Sequence, residues 1–159
     1  MRRLACALIA LAAAHSPALT PAPALAQPAG LESRATSESY DQALPRLRQA
    51  IAAEKMGLVT EAGPTETAAA RGETIPGDRV LGVFRNDFAV RAIRACPGAM
   101  IAPPIRFHLQ ATQTGARLDW IRPSAVFAPW AAACGPEIEA LGAELDPIFE
   151  AIAARAVAP

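Results

Sequence analysis

The apolar patterns along this 159-residue chain predict an α+β fold: a two-layer sandwich with helices packed on a mainly antiparallel sheet. Three observations carry that expectation. Apolar residues recur at helical spacing near both ends, as Tyr40, Leu44, Leu47 and Ile51 and again as Ile138, Leu141, Leu145, Ile148, Phe149 and Ile152. Between them, RVLGVF (79–84) is a continuous apolar run of the kind a buried strand shows. PIRFHLQAT (104–112) then alternates with a period of two, placing Ile105, Phe107, Leu109 and Ala111 on one face and Arg106, His108, Gln110 and Thr112 on the other.

Residues 1–26 read as a signal peptide. Arg2 and Arg3 precede the uncharged apolar stretch Leu4 to Ala14, and Ala24-Leu25-Ala26 before Gln27 is the small-x-small pattern of a cleavage site. That stretch is too short to cross a bilayer, which takes about twenty residues. The expectation is a periplasmic or secreted protein with no membrane span after cleavage. The 133 residues that remain suffice for one ordinary domain, expected over 39–159, with 27–38 as a flexible tail. Loss of Arg2 and Arg3 leaves 13 basic against 15 acidic residues, so no basic excess is available to hold a nucleic acid. Cys6 goes with the leader. Cys96 and Cys134 remain, and in an oxidising compartment an isolated pair is most simply a disulfide.

Each element has its own local signal. Ser39 and Gln42 have capping-box spacing at the head of the first helix, and Pro45 falls early, where a missing amide costs least. Gly57 ends that helix and Leu58 to Ala62 reads as a strand. Pro64 to Arg71 reads as a short helix closed by Gly72, and Pro76-Gly77 as a turn before the 79–84 strand. Asn86 or Asp87 is placed to cap a helix over Phe88 to Ala95, which stops at Cys96-Pro97-Gly98.

The 104–112 strand is expected to fold back as a hairpin. With Thr114-Gly115 as a two-residue turn, Ala111 faces Leu118, Leu109 faces Trp120 and Gln110 faces Asp119, with His108 diagonal to that carboxylate. Pro136 suits the first position of the last helix. Asp146-Pro147 lies within its apolar stripe, as a kink or as the start of a second, capped helix.

The segments YDQALPRLRQAI, GLVTE, RVLGVFRN and APPIRFHL together are similar to the domain-of-unknown-function 302 family, over about Ser39 to Arg122. The family's Asn-Pro falls here at Asn86-Asp87. The resemblance implies a small two-layer α+β domain, often exported in bacteria, and assigns no reaction and no catalytic residue.

Candidate chemistry is sparse. His108 is the one histidine outside the leader. Beside Asp119 it is either an oriented base or ligand, or a histidine sharing a cross-strand hydrogen bond on a half-exposed sheet. No serine stands in G-x-S-x-G, and phosphate-loop and dinucleotide glycine patterns are absent. Without C-x-x-C-H, and with both cysteines bonded, neither a haem attachment nor a zinc site is expected, and no cofactor or metal is assigned. Arg85 and Asn86 leave the central strand at a helix start, and Arg106 and His108 line a polar face. Together with Asp119 they form a candidate site for a small anion or carboxylate. The plain alternative is arginines covering apolar area with their stems. The expectation is an exported module that binds a small anionic ligand or a protein partner. Its rivals are a hydrolase or redox enzyme centred on His108 and Asp119, and a structural or homodimeric module.

Overall fold

The computed structural model describes residues 27–158; the expected signal peptide, residues 1–26, lies outside them. Within the described residues five strands form one antiparallel sheet: β1 (Leu31–Thr36), β2 (Gly57–Ala62), β3 (Asp78–Phe84), β4 (Ile105–Thr112) and β5 (Gly115–Ile121). Their spatial order is β1-β5-β4-β3-β2. Among the described residues five helices pack on the sheet: α1 (Tyr40–Ala53), α2 (Thr65–Ala70), α3 (Asn86–Ala95), α4 (Pro123–Cys134) and α5 (Pro136–Ala156). A 3₁₀ turn, Pro97–Ile101, follows α3. The α+β class expected from sequence is the observed one.

The helices shield one face of the sheet. Phe107, Leu109, Leu81 and Leu118 are fully buried there against Leu47 and Ile51 of α1 and Ile138, Phe149 and Ile152 of α5. The Phe107 and Phe149 rings stack with centroids 5.0 Å apart, and Phe107 tilts against Trp120 at 5.9 Å. Burying each such side chain contributes about 1.5–3 kcal/mol of transfer free energy. The opposite face is open. It carries exposed Ser33, Ala35, Arg106 and Arg117 around His108 and Asp119.

Local signals are realised at the start of α1. Ser39 accepts from the Gln42 amide and the Gln42 side chain accepts from the Ser39 amide, a complete capping box. At α3 the expected cap is absent. The helix begins two residues earlier than expected, at Asn86, so the cap position falls to extended Arg85, which makes no side-chain cap bond; Asp87, inside the first turn, accepts from Arg85 Nε.

Three expectations need correction. Residues 31–36, within the expected flexible tail, are the edge strand β1, paired with β5 from Leu31 opposite Ile121 to Thr36 opposite Ala116. Its LESRAT sequence has little apolar content because an edge strand shows one side to water, and its pairing is with residues far along the chain. The hairpin turn is Gln113-Thr114, with Thr112 opposite Gly115, so Leu109 faces Leu118 and His108 faces Asp119. The shift is two residues, one full side-chain period, so both faces keep their expected membership.

The third correction concerns the end of the chain. Pro123–Cys134 is a separate helix, α4, and α5 runs through Asp146-Pro147 unbroken. The Asp146 carboxylate starts no new helix; it accepts a 2.8 Å bond from the Ser124 amide in the first turn of α4. The two helices touch closely where Gly142 faces Ser124. A β-carbon at Gly142 would lie 2.7 Å from the Ser124 α-carbon. Cys96 and Cys134 are bonded, with α-carbons 5.5 Å apart, tying the end of α3 to the end of α4.

Candidate functional site

Strand β3 runs straight into α3 with no loop between them. Phe84 is its last residue, Arg85 stays extended at φ −140° and ψ 126°, and Asn86 begins the helix. The Arg85 side chain therefore falls back over the first turn of α3. Its guanidinium lies 4.3 Å from the centre of the Phe88 ring, in cation–π range, and its Nε donates to Asp87 Oδ1 at 2.8 Å. That hydrogen bond holds the Asp87 carboxyl below its ordinary range.

Beneath Arg85 lies a narrow apolar slot. Its walls come from the β3 and β4 ends, α3, α4 and α5, including Val83, Ile105, Ala92, Phe127, Leu145 and Phe149. Twelve of its thirteen lining residues are apolar, and Arg85 is the one charged member. The buried stripe of α3 explains the gap. After Phe88 it presents Ala89 and Ala92, side chains too short to fill the space toward α5. The cavity volume is about 30 Å³, close to the share of one water in the liquid.

A second cation flanks the same ring. The Arg91 guanidinium is 5.4 Å from the Phe88 centroid, but both its terminal nitrogens bond Glu144 of α5, each at 2.7 Å. This fork-to-fork pair raises the Arg91 pKa and lowers that of Glu144. Arg91 is thus committed to holding α3 on α5. Beyond its contact with the Phe88 ring, Arg85 has one side-chain hydrogen bond, to Asp87, whose side chain is 62% exposed.

The remaining predicted site residues lie on the open face of the sheet. His108 stands directly opposite Asp119, yet its Nε2 meets Asp78 Oδ2 on β3, at 2.8 Å. Asp119 is buried by its own donors: Ser33 from β1, Gln110 Nε2 at 2.9 Å and Arg117 Nε at 3.1 Å. The expected histidine–carboxylate pair therefore exists with Asp78 in the place assigned to Asp119. Arg106 is exposed opposite Gly82 on the same face. Sequence periodicity set Arg106 and His108 together, and the structure agrees; it places Arg85 with the slot.

Asp87, Phe88 and the α4 and α5 walls are the residues sequence reasoning did not assign to a site. The available signal was a cation and an aromatic ring followed by two alanines on the buried side of α3. Among the described residues, no group of three or more His, Cys, Asp or Glu is placed to hold a metal ion. No helix among them is long and apolar enough to cross a membrane.

Comparison with known proteins bears on the fold. The sequence model of a family described as Domain of unknown function DUF302 matches residues 32–154. The crystal structure of an uncharacterised conserved DUF302 protein from Bacillus stearothermophilus superposes with a TM-score of 0.68 at 14% identity. That match covers 80% of this chain and 98% of the other. No curated protein matches. The matched span runs from β1 into the last turns of α5, taking in every strand and nearly all of the helical layer, and on that match the chain belongs to the family Domain of unknown function DUF302.

Proposed function

We propose that this chain is an exported binding module that holds a small ligand in the slot between the sheet and α3, α4 and α5. The observation that carries the reading is an apolar hollow whose single charged lining residue, Arg85, stands at its edge. Concave apolar sites with a few placed polar groups are where proteins generally take small ligands. Export is supported by the leader-like residues 1–26 and by the Cys96–Cys134 bond, which suits an oxidising compartment.

Arg85 belongs to this reading; Asn86 is exposed at the start of α3 and does not line the slot, and Arg106, His108 and Asp119 belong to the opposite face. A hydrolase or redox centre at His108 and Asp119 needs a hollow over that face. None of the three hollows described is lined by either residue.

The test has two arms. Expression of the full chain followed by cell fractionation and intact mass measurement should give a periplasmic species beginning at Gln27; a cytoplasmic full-length species contradicts export. Calorimetric titration with hexan-1-ol should give saturable binding that Ala89→Leu abolishes by filling the slot. The absence of binding of any apolar probe, or binding indifferent to Ala89→Leu, removes the slot as the ligand site.

A further inference from the structure

The groups around the slot also bear on what kind of ligand it takes. Arg85 is the only charge among the lining residues, and it is positive. Arg91, the other guanidinium near Phe88, has both terminal nitrogens taken by Glu144. Arg85 instead makes a single 2.8 Å bond to a largely exposed carboxylate that water can re-solvate at little cost. Asp87 thus occupies the position that a ligand's carboxylate would fill. The slot below is small, about 30 Å³ with Arg85 lying on Phe88, whereas a cavity that binds benzene measures about 150 Å³.

Building on the reading of the slot as the ligand site, we infer that the ligand is a monocarboxylate with an unbranched alkyl tail. Its carboxylate displaces Asp87 from Arg85. As Arg85 lifts from Phe88, the tail passes between Phe88 and α5, against Ala89 and Ala92. The charge selects acids over alcohols, and the small volume selects slender chains over rings. Asp87 acts as an internal competitor for the Arg85 guanidinium when no acid is present.

Titration calorimetry of the purified, oxidised protein with hexanoate, hexan-1-ol and benzoate tests this. One charge-assisted hydrogen-bonded contact corresponds to hexanoate binding about tenfold tighter than hexan-1-ol. Benzoate should bind more weakly than hexanoate. Arg85→Gln should reduce hexanoate to the affinity of the alcohol. Asp87→Asn, which removes the competitor, should tighten hexanoate several-fold and leave hexan-1-ol unchanged. Equal affinity of acid and alcohol for the native protein overturns the inference while leaving the slot as a binding site. Failure of both to bind overturns the site itself. Weaker hexanoate binding in Asp87→Asn contradicts the competitor role, and because Asp87 is exposed that variant reads out even if Arg85→Gln fails to fold.

Discussion

Removing the Cys96–Cys134 bond should lower stability by an amount that the chain length alone predicts. The bond closes a loop with a sequence separation of 38. Chain-entropy arguments assign such a closure about 4 kcal/mol at 25 °C. Unfolding entropy near 2.1 cal/mol/K per residue gives about 0.28 kcal/mol/K for a domain of this size, so the loss corresponds to a drop of about 14 °C in melting temperature. Cys96→Ala/Cys134→Ala is the clean perturbation, because Cys96 is buried and alanine adds no volume there. Calorimetric melting of the double variant and the parent at one pH is the assay, with the reduced parent as a third sample. The variant and the reduced parent should melt together, well below the oxidised protein. A difference under about 3 °C between oxidised and reduced parent, or two titratable thiols in the native protein, would refute the reasoning.

Other consequences concern the helical layer and the β2–α1 edge. Gly142→Val should cost about 1–3 kcal/mol by urea unfolding, because its branched side chain must push α4 off α5 at Ser124; an unchanged midpoint would contradict that close approach. Asp146→Ala should cost about 1 kcal/mol in the same assay by leaving the Ser124 amide at the α4 start without its acceptor, and Asp146→Asn should recover most of the loss. Arg48 holds Glu61 below its ordinary value, mainly through a direct hydrogen bond. A carboxyl depressed on folding stabilises the native state above its unfolded pKa and loses that contribution as pH falls through the folded one. Stability should therefore fall as the pH drops below about 4.5, and Glu61→Gln should flatten that slope; parallel acid limbs would contradict the pair's role.

What could be read from the sequence was what is local. Ser39 and Gln42 are three residues apart, and their reciprocal capping bonds follow from that spacing. Period-two alternation in β4 put Phe107 and Leu109 on the buried face and Arg106 and His108 on the open one, and a one-residue error in the turn, which shifts the pairing by two, left both faces intact. Long-range pairing was not legible. β1 is ordered by β5, some ninety residues later, and Arg34 in it meets Glu150 of α5. α4 has an internal Pro129 and is apolar nearly all round, so no amphipathic stripe announces it. The site divided along the same line. Arg85 could be singled out from the strand-to-helix junction, whereas Phe127, Leu145 and Phe149 enter the slot only through tertiary packing.

The central claim, that the slot beneath Arg85 is the ligand site, is tested most directly by mapping amide chemical shifts of the oxidised protein during titration with hexanoate. Saturable shifts are expected at Met56, Val83 through Ala92, Ile105, Phe127 and the stretch from Leu141 to Phe149. Shifts centred instead on Arg106, His108 and Asp119 would place the ligand on the open face of the sheet and contradict it.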